Sequence, residues 1–347
     1  MAKIDRLFET MIDRGGSDLH LEEGQVPKIR LNGVLVDLDQ PVLTESSLLE
    51  YLFEICGPNN WQRFKETADI DFAYDMGGKA RFRSNYFRHA SGFGAIFRII
   101  PTKILTLEQL QAPEVLQNFA TMRSGLVLVT GPTGSGKSTT MAAIVDYINE
   151  NYSRKIVTIE EPVEFVHPRK KCLLMHREVG EDTVSFATGL KGAIRSDSDV
   201  VLVGEMRDRE TIELALTATE MGILVFGTLH TNSAPKTIDR IIDVFPHSQK
   251  EQVRGQLSFA LKGIVSQQLL RSADGSRRWA AHEIMLYTPP LSAIIRSGDS
   301  TKLFSYIQTG KRSGMITMDD CLEQMIKDGK IAKEAAYMKA NDKTRFA

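Results

Sequence analysis

The 347-residue sequence holds only three cysteines, Cys56, Cys172 and Cys321, far apart and with no CxxC pair. That excludes a disulfide framework and a zinc site built on paired thiolates, and it fits a reducing compartment. Net charge is equally scarce, with 43 basic residues against 44 acidic ones. No overall field advertises nucleic acid, although a local basic patch would survive such an average. No apolar stretch approaches the roughly 18 residues of a membrane-spanning helix, so membrane contact is expected to run through a partner. The opening MAKIDRLFETMIDRGGSD carries charges through its apolar positions and has no signal-like core, which predicts a cytoplasmic protein. Internal repeats and low-complexity segments are absent too.

What is present is a globular composition, 42% hydrophobic and 25% charged, at a length that favours two domains. Ile4, Leu7, Phe8, Met11 and Ile12 share one helical face, and Gly15-Gly16 should end that helix. In KIRLNGVLVDL, Asn32-Gly33 between apolar-rich runs predicts a hairpin. A helix over 45–55 follows, with Pro58 after it. DIDFAYD and ARFRSNYFRHA flank Gly77-Gly78 as a second hairpin, continued by FGAIFRII. Strands with two helices make residues 1–100 a small α+β domain. The stretch PTKILTLEQLQAP reads as a connector, so 101–118 is taken as a linker or hinge and 119–347 as the second domain. There GLVLVTG, IVTIEEP, DVVLVGE and ILVFGTLH are short, nearly all-apolar strands, several separated by helical stretches. Such a pattern predicts a buried, mainly parallel sheet. Residues 237–270 and the tail from Met318 read as helical.

GPTGSGKST, from Gly131 to Thr139, matches GxxxxGK[ST], with a strand before it at 126–130 and a helix after it at 139–148. Gly131, Gly134 and Gly136 let backbone N–H groups wrap phosphates, and the helix N-terminus adds partial positive charge. Pro132, Thr133 and Ser135 complete the loop. Lys137 would reach the β- and γ-phosphates of ATP, and the Ser138 hydroxyl would hold Mg²⁺. Hydrolysis also needs a metal carboxylate and a group that orients water. VVLVGE ends on Glu205 at a strand's C-terminal end, where open α/β sheets place ligands. Glu205 would support Mg²⁺ directly or through water. IVTIEEPVE offers Glu160, Glu161 and Glu164, of which Glu164 is the chosen general base and Glu160 the next in line. His230 ends another strand, placed to sense the γ-phosphate. His282-Glu283 does not complete HExxH, because position 286 is Leu286, and reads as structural.

GPTGSGKST, IVTIEEPVEFVH, AIRSDSDVVLVGEMRDRET and GTLHTNSAPKTIDRIIDVFP resemble the Walker A, Asp box, Walker B and His box of secretion ATPases. Within that superfamily the chain is similar to the type IV pilus retraction ATPases of the PilT type over nearly its whole length. The resemblance implies a PAS-like N-terminal domain joined flexibly to a RecA-like domain, in a homohexamer that binds nucleotide between the two. It implies a motor in which ATP-driven closure, hinged at 101–113, moves an inner-membrane platform protein of the PilC type, at the cytoplasmic face of the inner membrane. A paralogous retraction ATPase is a further implied partner. Arginines of the N-terminal domain close over the nucleotide in such motors. Here Arg83 and Arg98 are the nearest counterparts, with Arg81 and Arg88 as alternatives.

The chain departs from the family pattern in places. The usual EDP reads Glu160-Glu161-Pro162, which keeps the charge. Ile223 stands where many relatives carry a histidine. In PPLSAIIRS, matched to an AIRNLIRE-like segment, Arg296 is kept and Ser292 replaces the earlier arginine, which bears on retraction rather than hydrolysis. The missing tetracysteine module argues against the pilus-assembly and type II secretion branches. A related traffic ATPase, a DNA-translocating RecA-type motor and a silent nucleotide-binding scaffold of a second motor are the competing readings. ATP turnover separates the scaffold, and DNA-stimulated turnover would favour the translocase.

Overall fold

The computed structural model describes residues 2–100 and 103–347. Pro101 and Thr102, at the start of the expected hinge, lie outside the described residues. The chain falls into two compact units: Met1–Ile104 with Glu160–Val166 and His176–Val184, and the remainder.

In the smaller unit α1 (Asp5–Asp13) buries Leu7, Phe8 and Met11. Strands β1 (Asp18–Glu22), β2 (Lys28–Leu31) and β3 (Val34–Asp37) follow. Asn32 (φ 51°) and Gly33 (φ 89°) form the tight β2–β3 turn, as that dipeptide predicts. Thr44 caps α2 (Glu45–Cys56) by accepting from the Ser47 amide. Pro58 then does more than follow a helix. It occupies the first turn of α3 (Pro58–Thr67), beyond a Gly57 at φ 73°, so the two helices expected here are three. Proline suits that position because its missing N–H would have had no intrahelical partner. Strands β4 (Asp69–Asp75), β5 (Arg81–His89) and β6 (Gly92–Ile100) complete an antiparallel sheet ordered β3-β2-β1-β6-β5-β4. Its core is aromatic: Phe8 stacks on Phe82 at 4.0 Å between centroids and meets Phe97 edge-on.

The first helix of the larger unit, α4 (Val115–Thr121), begins inside the 101–118 stretch expected to be linker and runs past its end. The chain continues through β7 (Gly125–Thr130), α5 (Lys137–Asn151), β8 (Lys155–Glu160), β9 (Leu173–Glu178), α6 (Phe186–Arg195) and β10 (Val200–Val203), with the last residue of β8 and the last three of β9 grouped in the smaller unit. Then come α7 (Arg209–Glu220), β11 (Leu224–Leu229), α8 (Ala234–Asp243) and α9 (His247–Ala260). The expectation of helix through 237–270 fails past Ala260. Leu261–Arg271 is strand β12, parallel to β7 and antiparallel to β13 (Arg278–Leu286). Its residues are buried on both faces almost throughout, so its apolar run carries no alternation to distinguish it from a buried helix. The sheet order is β13-β12-β7-β11-β10-β8-β9. The central strands β7, β11, β10 and β8 pair in parallel, the α/β arrangement expected of a RecA-like P-loop domain. Helices α10 (Pro289–Ser297), α11 (Thr301–Thr309), α12 (Met318–Lys327) and α13 (Lys333–Lys339) close the chain.

His282 and Glu283 are structural, as the broken HExxH suggested. The Glu283 carboxylate accepts from the Ala234 and Met318 amides at 2.8 and 3.4 Å, capping the N-termini of α8 and α12 at once. Burial pushes His282 down from 6.5 to about 4. In the unfolded chain it takes up a proton near 6.5, while the folded protein does so only near 4. Stability from this group is therefore complete above about pH 6.5 and falls as pH drops toward about 4, by up to ~3 kcal/mol. Urea unfolding at pH 7 and pH 5 should show this loss in the wild type and a smaller one in His282→Asn. Equal slopes would remove His282 as its source.

Candidate active site

Strand β7 delivers the chain to the phosphate-binding loop, and the loop's shape depends on a strand the motif does not include. Gly131 takes φ 144° and Gly136 φ 89°. A Cβ on Gly131 would fall 2.2 Å from the Gln267 carbonyl oxygen, and one on Gly136 would fall 2.8 Å from the Gln267 side-chain nitrogen. Gln267 lies on β12, 2% exposed. Its Nε2 donates to the Ser135 carbonyl at 2.7 Å and its Oε1 accepts from Thr140 Oγ1 at 2.9 Å. One buried amide thus fixes the loop's backbone and the first turn of α5 together. Sequence reading missed Gln267 because its strand was taken for helix. Its signal was a pair of glutamines, Gln267 and Gln268, in an apolar run.

Lys137 Nζ donates to the carbonyls of Gly131 and Pro132 at 2.8 and 3.1 Å, so the loop curls around the ammonium. Thr133, Gly134 and Ser138 are exposed, and Pro132 and Thr139 are half-buried. No acidic residue sits in the first turn of α5, so the positive end of its dipole is not neutralised from within. The arrangement suits a polyanion approached by backbone amides.

Glu205 and His230 are brought side by side. Parallel pairing sets Val203 opposite Gly227, and beyond it the Met206 amide donates to the Thr228 carbonyl at 3.0 Å. Glu205 forms an ion pair with Arg207 and lies 3.2 Å from His230 Nε2. Burial raises the Glu205 carboxyl, but the Arg207 hydrogen bond and the neighbouring His230 outweigh it and hold the group below its usual value. An ionised carboxylate is what a hard cation requires. Arg207 was not among the residues picked from the sequence.

Glu160, Glu161 and Glu164 belong to the smaller unit, whereas the loop, Glu205 and His230 belong to the larger. Glu164 is half-buried and Glu161 exposed, and Glu160 lies 3.8 Å from His176 Nδ1. Arg83 and Arg98 are direct cross-strand partners on β5 and β6, hence on one face of the sheet. Each carries its own carboxylate: Arg83 Nε with Asp71 at 3.4 Å, and Arg98 Nε with Asp18 at 2.7 Å. The alternatives differ. Arg81 is engaged by Asp75 and the Val163 carbonyl, and Arg88 lies over the Phe93 ring. Ile223 and Ser292 are both buried, while Arg296 sits over the Phe259 ring at 5.6 Å. Among the described residues no group of three or more His, Cys, Asp or Glu could hold a metal by itself.

Residues 1–297 match the family of type II/IV secretion system proteins. The chain is 47% identical over 343 residues to the type IV pilus retraction ATPase PilT of Pseudomonas aeruginosa, covering 99% of each. It is 46% identical over 316 residues to a twitching motility protein of Neisseria gonorrhoeae, covering 91% of this chain and 84% of that one. The crystal structure of the pilus retraction motor PilT with bound ADP superposes with a TM-score of 0.90 at 41% identity, covering 99% of this chain and 98% of that one. The chain belongs to the type II/IV secretion system protein family and, within it, to the type IV pilus retraction ATPases.

Proposed function

We propose that this chain hydrolyses ATP to drive type IV pilus retraction, and hence twitching motility. The observation that carries the reading is the phosphate loop itself: three glycines at positive φ entering an uncapped 15-residue helix, with Lys137 drawn into the loop. The loop amides and Lys137 bind the β- and γ-phosphates. Glu164 takes the proton of the attacking water as oxygen bonds to the γ-phosphorus, and the bond from that phosphorus to the bridging oxygen breaks to release ADP and phosphate. Mg²⁺ fits as cofactor because Mg²⁺ sites combine one or two carboxylates with substrate phosphates and water rather than a protein cage. The Ser138 hydroxyl and the ionised Glu205 would hold it, and when bound it neutralises charge on the phosphates. His230, beside Glu205, senses the γ-phosphate end. Arg83 and Arg98 supply guanidinium groups to the spreading phosphoryl charge.

The domain reading is retained in the proposal: a PAS-like domain at 1–100, a hinge over 101–118 and the RecA-like domain beyond. ATP-driven motion of the first against the second is the working stroke. The working form is a homohexamer acting on an inner-membrane platform protein from the cytoplasmic side, with a paralogous retraction ATPase as a further partner and no nucleic acid. Among the described residues no helix is long and apolar enough to cross a membrane.

Lys137→Ala should lower ATP turnover at least about a hundredfold, as loss of one preorganised charge donor does. Normal turnover in it would sink the loop assignment. Glu164→Gln should keep ATP affinity and lose about 10²–10⁴ in turnover, measured beside the wild type with particle mass on the same samples. Wild-type turnover in that variant would transfer the base to Glu160, and a non-hydrolysing wild-type hexamer would favour the scaffold. Gln267→Leu leaves the Ser135 carbonyl and Thr140 hydroxyl without their partner, so ADP affinity should weaken about tenfold. Calorimetric titration with ADP checks this, and an unchanged affinity would show that the loop keeps its shape without the amide.

A further inference from the structure

We infer that Glu178 and Arg81 hold the backbone of Val163, one at its amide and the other at its carbonyl, making them positioning residues for the loop that carries Glu164. The inference rests on the proposed reading of Glu164 as base and goes beyond it, since neither residue lies in the four motifs as a catalytic group.

Strand β4 is the edge of its sheet, so alternate N–H groups along it face away from any strand partner. One of these, on Ala73, donates to Glu178 Oε1 at 3.2 Å. The other oxygen of the same carboxylate, Oε2, accepts from the Val163 amide at 3.1 Å. Val163 is 4% exposed, and its carbonyl accepts from Arg81 Nη2 at 3.1 Å. Arg81 Nη1 is in turn anchored on Asp75 Oδ2 at 3.3 Å. Both backbone groups of the residue before Glu164 are therefore committed, each to a side chain that is itself tied to β4. Glu178 sits in burial deep enough to raise its carboxyl, against the lowering effect of its two amide bonds and Arg81. A carboxylate kept in such a place with two amides on two separate segments acts as a staple. All these residues belong to the smaller unit, although Glu178 is the last residue of β9, a strand of the seven-stranded sheet. Glu164, one peptide further on, is thereby held through the backbone of its neighbour.

The test uses the full-length protein as Glu178→Ala, Glu178→Gln and Arg81→Met. It reads ATP turnover, KM for ATP, and deuterium uptake of peptides covering 160–166 and 131–139. Glu178→Ala should lose about tenfold to a hundredfold in kcat, the cost of misplacing a catalytic group, with KM within about twofold of wild type. Its 160–166 peptide should exchange faster while 131–139 stays unchanged. Glu178→Gln keeps one acceptor oxygen and should fall between. Wild-type kcat in all three variants, or a raised KM with kcat kept, would overturn the inference. If Glu178→Ala does not fold, the other two variants decide by the same criteria. Should Glu164→Gln retain full turnover, the base assignment fails separately. Uptake at 160–166 then decides the staple alone: faster exchange in the Glu178 variants supports it, and unchanged exchange removes it.

Discussion

A parallel sheet covered on both faces leaves its polar side chains few places to go, and the ends of its strands are the main one. In β7, β10 and β11 every residue is buried. The chain turns polar only as each strand runs out, at the phosphate loop, at Glu205 and at His230. Register therefore decides chemistry: because Val203 pairs with Gly227, the residues two and three places on arrive together as a carboxylate and an imidazole. The same constraint explains Gln267. It is a polar residue within a buried strand, and its amide is satisfied by the loop backbone and α5. An unpaired amide at 2% exposure would be costly.

Charge is handled differently in the two units. The larger unit holds the Glu205 carboxyl below its usual value with Arg207 and His230 beside it. The smaller unit places Glu164 on a loop whose backbone is gripped by Glu178 and Arg81. The proposed base and the phosphate loop thus fall in different units.

Local chemistry was the legible part of the sequence. Asn32-Gly33 made its turn, the glycines made the loop, and the four short apolar runs became parallel strands, since each signal is complete within about ten residues. Two elements were hidden for physical reasons. Strand β12 follows α9 with no breaker between Ala260 and Leu261 and is buried on both faces, so neither period 2 nor period 3.6 marks it. Pro58 signals a stop and a start alike, and only Gly57 at positive φ resolves the two. Gln267 and Glu178 act through tertiary placement, whereas Arg207 pairs with Glu205 only two residues away. The carboxylate on Glu283 was correctly set aside as structural, although its double capping role emerges only once α8 and α12 are folded.

The paired arginines of the small sheet have a kinetic consequence. Arg83 and Arg98 stand opposite each other on adjacent strands, yet each already has an aspartate. An incoming anion would exchange with Asp71 or Asp18 instead of meeting a bare cation. The free energy gained is then the difference between two ion pairs, smaller than either. Departure is eased for the same reason, because the aspartate is waiting to re-form its pair. In the proposed role the two arginines would trade grip for speed of exchange, and favour repeated cycling over long residence.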